Sequence, residues 1–129
     1  MTAPTTVYEA AGGEATFTSL VERFYAGVEG DPLLRPLYPG DPQMFAAAAE
    51  HLRLFLIQYW GGPSTYNDIR GHPRLRMRHA PFAIGRRERD AWLARIAAAV
   101  DSLDLPRGVR DAFLDYFESA SLGMINRPG

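Results

Sequence analysis

The chain has 129 residues, 47% of them hydrophobic, which is enough to bury the core of a single domain. It contains no cysteine, so a disulfide framework, a thiolate metal cluster and a cysteine nucleophile are excluded, and a reducing compartment fits. A formal net charge of −1 provides no general attraction to nucleic acid or to an anionic membrane. We therefore expect one domain over residues 1–129, with a short flexible tail at about residues 1–5 and no nucleic-acid partner.

The first residues and the apolar stretches predict where the protein resides. Residues 1–6 lack both a basic region and an apolar region of the kind that a secretion signal needs. The longest apolar stretches are interrupted by Glu50, His51 and Arg53, so none of them suits a membrane span. We expect a cytoplasmic protein with no membrane insertion.

The first two predicted helices lie on either side of a glycine pair. Thr6 and Glu9 form a candidate capping box, and a short helix that starts there would have to stop at Gly12-Gly13. Beyond the glycines, apolar residues recur at helical spacing and predict an amphipathic helix over about residues 16–29. Those apolar residues are Phe17, Leu20, Val21, Phe24 and Val28.

Two Asp-Pro pairs predict the next two helix starts. Asp31-Pro32 and Asp41-Pro42 each place a capping aspartate before a proline that suits the first helical position. The first of these helices should be short, because Pro36 and Pro39 would end it. The second should continue to Gly61-Gly62-Pro63. One side of this longer helix carries Phe45, Ala48, Leu52, Phe55, Leu56 and Tyr59.

The segment from residue 61 to residue 85 shows no sustained period and is rich in glycine, proline and arginine, so we predict a long loop. Loops of this length in a compact chain are usually functional or disordered. Helical spacing returns after residue 85 and again after Pro106. Since no segment alternates as a strand does, the predicted fold class is all-α.

Three histidines are present, and His79 is the candidate metal ligand because a run containing four arginines leads to it within the irregular segment. A haem iron needs a neutral imidazole whose second nitrogen is held by an acceptor, and a segment wrapped around the cofactor can supply it. Taken alone, a surface or capping histidine is the more common case. The neighbouring arginines suit the two haem propionates, but they also suit a solvated face or a weak phosphate site. These arginines are Arg70, Arg74, Arg76 and Arg78.

Three polar aromatic residues lie on apolar surfaces of the predicted helices, namely Tyr25, Tyr38 and Trp92. When buried, tyrosine and tryptophan need partners for their O–H and N–H groups. Each alone is more often a core residue bonded to a carbonyl. Together in one pocket they would form a set of donors for an anionic diatomic ligand.

Other classes of chemistry have little support in the sequence. The carboxylates lie singly on faces that look solvated, and no serine lies in a nucleophile-elbow motif. The glycine pairs lack the strand, turn and helix context of a phosphate-binding loop.

These residues together resemble the truncated haemoglobins, and specifically their group II branch. The resemblance covers nearly the whole chain. The strongest motif is the run Gly71-His72-Pro73-Arg74-Leu75-Arg76-Met77-Arg78-His79-Ala80-Pro81-Phe82. Weaker motifs are Gly12-Gly13, Phe24-Tyr25, Tyr38-Pro39, Gln58-Tyr59-Trp60-Gly61-Gly62-Pro63 and Asp90-Ala91-Trp92-Leu93.

The resemblance implies a two-over-two helical globin fold with haem b between helix pairs and a loop in place of the usual proximal helix. It implies that His79 is the proximal iron ligand and that Tyr25, Tyr38 and Trp92 are the distal donors. It places Leu52 above the iron, with Ala48 where many globins carry a distal histidine or glutamine, and His51 exposed or at the haem edge. The residues implied to contact haem are Leu52, Phe55, Leu56, Met77, Arg78, Phe82, Trp92 and Ile96.

The function implied is tight but reversible oxygen binding, with redox reactivity toward nitric oxide or peroxide. O2, NO and CO are the expected gas ligands, and a reductase is the expected electron donor. Two alternatives remain, a peroxidase-like haem enzyme and a haem-free helical module that binds acidic partners through its arginines. A homodimer is also expected if Tyr116 and its neighbours face a partner.

Overall fold

The computed structural model describes residues 6–128, so the tail predicted at about residues 1–5 lies outside the described residues. Within residues 6–128 the chain forms α-helices and one short 3-10 helix, and no strand. The 3-10 helix spans Arg35–Leu37. The α-helices are α1 Val7–Ala11, α2 Glu14–Glu29, α3 Pro42–Tyr59, α4 Thr65–Arg70, α5 Leu75–His79, α6 Arg86–Asp101 and α7 Arg107–Gly123.

The predicted glycine stop between α1 and α2 is confirmed. The Thr6 hydroxyl accepts a hydrogen bond from the Glu9 backbone N–H at 3.1 Å, and Gly12 ends α1 with a φ of 111°. Only glycine adopts that φ without strain. Gly13 has a φ of 74°, and α2 begins directly after it, two residues earlier than predicted.

The two Asp-Pro pairs have different outcomes. Asp41 caps α3 as predicted, because its side chain accepts from the backbone N–H groups of Gln43 at 2.8 Å and Met44 at 3.1 Å. The predicted helix after Asp31 is wrong, since only the 3-10 helix Arg35–Leu37 forms there. Pro36 and Pro39 lack the N–H that an α-helical ladder needs, so the segment stays short and tight.

The prediction of a structureless loop over residues 61–85 is also wrong. The segment holds α4 and α5, which are too short to show a helical period in the sequence. Gly71 ends α4 with a φ of 74°, and Pro73 follows before α5 begins. The segment is therefore two single-turn helices joined by a tight bend.

The long helices pack as two pairs, α2 with α3 and α6 with α7, and α2 also packs on α6. The side chains between them are fully buried and almost all apolar. Among the described residues, no helix is both long enough and apolar enough to cross a membrane. The largest buried side chains are Phe17, Phe24, Phe113, Phe117, Leu20, Leu34, Leu56, Ile96, Val28 and Val100.

Candidate haem cavity

A cavity of about 370 Å³ lies among helices α2 to α7, with a predominantly apolar lining. Most of the residues proposed from the sequence line it. They are Tyr25, Tyr38, Leu52, Phe55, Leu56, Arg78, His79, Phe82 and Trp92. Ala48 and His51 also line the cavity, and both lie within one helical turn of Leu52 on α3.

His79 is the last residue of α5, and its ring is oriented by the same helix. Its Nδ1 lies 2.7 Å from the Leu75 carbonyl oxygen, which can only accept, so Nδ1 carries the proton and donates. Nε2 is then left with a lone pair. This is the tautomer that an iron-ligating histidine requires, with the second nitrogen held by a backbone carbonyl.

A second anchor holds the chain just after His79. The Asn126 side-chain amide donates to the backbone carbonyls of His79 at 3.2 Å and Phe82 at 2.8 Å. Its side-chain oxygen accepts from the Ile84 backbone N–H at 2.9 Å. The residues after α7 therefore fasten the α5 segment against the rest of the fold.

Tyr25, Tyr38 and Trp92 converge on one side of the cavity. The rings of Tyr25 and Tyr38 meet edge to face with centroids 5.5 Å apart. Burial raises the pKa of Tyr25, and the neighbouring Tyr38 raises it further. Burial also raises the pKa of Tyr38, against the opposing effect of hydrogen bonds from Trp92 and Tyr25. Both phenols are therefore protonated donors at neutral pH.

Basic groups line another part of the cavity. A guanidinium nitrogen of Arg70 contacts the His51 ring, and Arg78 donates to the carbonyls of Pro73 at 2.7 Å and Arg70 at 3.1 Å. Burial lowers the pKa of His51, and the charges of Arg70 and Arg78 lower it further. Of the four arginines singled out in the sequence, only Arg70 and Arg78 line the cavity.

Two of the residues expected to contact haem are placed elsewhere. Met77 is 59% exposed because it lies on the outer side of α5, whereas Leu75, Arg78 and His79 line the cavity. Ile96 is fully buried in the core and does not belong to the cavity lining. It lies one turn beyond Trp92 on α6, deeper between the helices.

Sequence reasoning missed Arg89, whose side chain lines the cavity although the residue is only 8% exposed. Its Nε donates to the Ser121 hydroxyl at 3.0 Å and one Nη donates to the Glu118 carbonyl at 3.0 Å. Arg89 precedes Trp92 by three residues, so the two lie on the same face of a helix, and this spacing was the one sign in the sequence that Arg89 would line the cavity.

Tyr116 was expected to face a partner, but it is partly buried and lines the cavity instead. Its ring packs on Tyr59, with centroids 4.2 Å apart, and on Phe117. The contact suggested for Tyr116 is therefore made within the chain, and the homodimer stays a prediction.

The chemistry of this cavity fits a haem group. A flat apolar macrocycle matches the apolar walls, and the Nε2 lone pair of His79 matches the iron. Arg70 and Arg78 supply positive charge and hydrogen-bond donors for propionate groups, and His51 lies beside them in the lining.

Comparisons with known proteins agree with this geometry. The family described as bacterial-like globin matches residues 6–126. The group 2 truncated hemoglobin YjbI of Bacillus subtilis is 38% identical over 120 residues, which are 93% of this chain and 88% of that protein.

Solved structures show the same similarity in three dimensions. A thermostable hemoglobin from Thermobifida fusca is 54% identical, with a TM-score of 0.93 over 97% of this chain and 100% of that chain. A truncated oxygen-avid haemoglobin from Bacillus subtilis is 38% identical, with a TM-score of 0.88 over 95% of this chain and 100% of that chain. The fold is therefore the all-α, two-over-two globin fold. The chain belongs to the bacterial-like globin family, as a truncated haemoglobin of group II.

Proposed function

We propose that this chain binds haem b through His79 and binds oxygen tightly and reversibly, with Tyr25, Tyr38 and Trp92 as the groups that slow its release. The observation that carries the proposal is the pairing of an oriented imidazole with three convergent donors in one apolar cavity. The haem supplies, when bound, an iron centre that takes up O2, NO or CO.

His79 supplies a neutral nitrogen, and Leu75 keeps it in the ligating tautomer. Leu52, Phe55 and Leu56 form an apolar wall that excludes water from the site. Arg70 and Arg78, which line the cavity, would hold the propionate groups of the haem through charge-assisted hydrogen bonds.

A diatomic ligand that gains negative charge in this cavity would be stabilised by nearby donors. Tyr25 and Tyr38 stay protonated because burial disfavours the phenolate. Hydrogen bonds to charged acceptors contribute about 1–3 kcal/mol each. The solved relative from Bacillus subtilis is described as oxygen-avid, which supports the same property here.

Slow release suits reaction of the bound gas better than its transport, so the proposal includes redox reactivity toward nitric oxide or peroxide. Turnover in either reaction consumes electrons. The proposal therefore includes a reductase as partner and the cytoplasm as the place of the reaction. Peroxide chemistry is the second candidate, favoured by the oxidisable aromatic residues beside the cavity.

The test is the absorption spectrum of the haemin-reconstituted protein in ferric, reduced and oxygenated forms. We expect a Soret band and a stable oxygenated form in the wild type, and their loss or weakening in His79→Ala. The matched control is His72→Ala, because His72 is exposed, lies seven residues earlier and is absent from the cavity lining.

Each other outcome has a definite meaning. An unchanged spectrum in His79→Ala would remove His79 as the ligand. A folded, colourless wild type that takes up no haemin would contradict the proposal and support the haem-free interaction module.

A further inference from the structure

Three oxidisable side chains, Tyr59, Trp60 and Tyr116, form a continuous cluster between the cavity and the surface, which we call the aromatic relay. The ring centroids of Tyr59 and Tyr116 are 4.2 Å apart, those of Tyr59 and Trp60 4.9 Å, and those of Trp60 and Tyr116 5.6 Å. Every member therefore touches the other two.

The two ends of the aromatic relay lie in different environments. Tyr116 lines the cavity, whereas Tyr59 is 50% exposed to solvent and does not line the cavity. A second aromatic contact joins the cavity to the same exposed ring, since Phe55 lines the cavity and lies 6.0 Å from Tyr59 between centroids. Tyr59 is thus an oxidisable aromatic residue that is exposed to water and in contact with two rings of the cavity lining, Phe55 and Tyr116.

We propose that Tyr116 and Tyr59 conduct electrons from the surface to the cavity, and that Tyr59 is a surface site at which small phenolic reductants are oxidised while a hydroperoxide is reduced in the cavity. This rests on the proposed haem binding. It adds a second site to the protein, distinct from the gas-binding cavity, and a class of substrate that is oxidised at the surface without entering that cavity.

Proton transfer decides which member of the aromatic relay becomes the oxidised site. A phenol or indole that loses an electron becomes a lasting neutral radical only if an acceptor takes its proton. The buried Nε1 of Trp60 has no hydrogen-bond partner in the part of the chain that the structure describes, so an acceptor is lacking there. Burial and the adjacent Tyr59 raise the pKa of Tyr116 to about 12, so loss of its proton is disfavoured in this partly buried position. The exposed Tyr59 can release its proton to water.

The reaction balances as a two-electron reduction of the peroxide bond. The O–O bond breaks, and hydrogen peroxide takes up two electrons and two protons to give two molecules of water. Each electron leaves Tyr59 through Tyr116, and the phenolic proton of Tyr59 passes to solvent. A phenolic reductant at the surface then returns one electron and one proton to Tyr59. Two such cycles convert one peroxide and two phenols into two waters and two phenoxyl radicals.

Packing alone also explains an aromatic cluster, because aromatic pairs at these distances stabilise a core. Packing, however, does not require the phenolic oxygen of Tyr59. Phenylalanine keeps the ring and its contacts while removing the oxidisable group, so the substitutions Tyr59→Phe and Tyr116→Phe separate the two explanations.

The experiment treats the ferric, haemin-reconstituted protein with hydrogen peroxide and follows the tyrosyl radical by freeze-quench electron paramagnetic resonance. Dityrosine cross-links between molecules are mapped by mass spectrometry as a second readout, since an exposed tyrosyl radical couples with another. Tyr8→Phe is the matched control, because Tyr8 is partly buried, stacks on Phe17 and does not line the cavity. Far-ultraviolet circular dichroism and the Soret band establish that each variant is folded and loaded.

We expect cross-links at Tyr59 in the wild type and in Tyr8→Phe, and none in Tyr59→Phe. In Tyr116→Phe we expect fewer cross-links and slower oxidation of a phenolic dye. Two results would overturn the aromatic relay and leave the proposed haem binding intact. One is a wild type that consumes peroxide without a radical at Tyr59, and the other is a Tyr59→Phe variant whose radical signal and dye oxidation are unchanged. A wild type without a Soret band would overturn the proposed haem binding first.

Discussion

At the scale of single residues, the indole of Trp92 is the donor whose role is easiest to isolate. Replacing Trp92 by Phe keeps an aromatic ring against Phe24 and Phe117 but removes the N–H. We expect oxygen to dissociate about five- to 150-fold faster, equivalent to about 1–3 kcal/mol for one hydrogen bond to a charged acceptor. Stopped-flow measurement of oxygen release would check this.

The matched control for that substitution is Trp60→Phe. The Trp60 indole N–H has no partner among the described residues, and Trp60 does not line the cavity. Its removal should leave oxygen release unchanged. Equal rates in the wild type and Trp92→Phe would contradict the role proposed for Trp92.

Tyr25 makes a separate prediction about alkaline pH. Burial raises the pKa of Tyr25 in the folded protein, whereas a tyrosine in the unfolded chain titrates near pH 10. The unfolded chain therefore loses this proton first, and the free energy of unfolding should decrease as the pH rises above about 10. Below that pH both states are protonated, and the contribution of Tyr25 is constant.

Urea denaturation between about pH 8 and pH 11 would measure this decrease in the wild type and in Tyr25→Phe. The chain has no lysine, so tyrosines are the main side chains that titrate over that range. We expect a shallower decrease in Tyr25→Phe, and identical slopes would show that Tyr25 titrates normally in the folded state.

At the scale of helices and turns, the end of α3 depends on Gly62. A Cβ atom added at Gly62 would lie 2.9 Å from the Ile57 backbone oxygen and 2.7 Å from the Ile57 Cγ2. The Ile57 carbonyl cannot shift to make room without breaking a hydrogen bond, because the Gly62 N–H donates to that same oxygen at 2.8 Å. Gly62→Ala should lower the free energy of unfolding by about 1–3 kcal/mol, the usual cost of overpacking.

Gly123→Ala is the matched control, measured by the same denaturation experiment. Gly123 is the last residue of α7, and an added Cβ would meet nothing within 4 Å. Since alanine favours the helix over glycine by up to about 1 kcal/mol, this variant should be neutral or more stable. A destabilisation equal to that of Gly62→Ala would contradict the steric explanation.

At the scale of the whole molecule, the cavity couples haem binding to folding. A ligand that binds only the folded state stabilises it by about 2.7 kcal/mol when its free concentration is a hundred times its Kd. Haemin should therefore raise the midpoint of thermal unfolding in the wild type, and less in His79→Ala. Scanning calorimetry with and without haemin would measure both shifts, and equal shifts would mean that His79 contributes nothing to haem affinity.

Local chemistry in the sequence already predicted much of this protein. Asp41 before Pro42 set the start of α3, and Gly12-Gly13 set the stop after α1, because capping and left-handed φ values act over only a few residues. Helical spacing predicted the long helices for the same reason. The motif around His79 indicated the family, and the comparisons confirm it.

Contacts between residues far apart in the sequence determined the features that local patterns did not predict. Neither α4 nor α5 is long enough to show a period, and Asn126, far along the chain, fastens the end of α5. Met77 and Ile96 share the motifs and spacing of their neighbours but do not line the cavity, since Met77 is exposed and Ile96 is buried in the core. Arg89 and Tyr116 joined the cavity only when α6 packed on α7. A pattern along the chain specifies which faces are apolar, but the packing of one helix on another determines which side chains share a cavity.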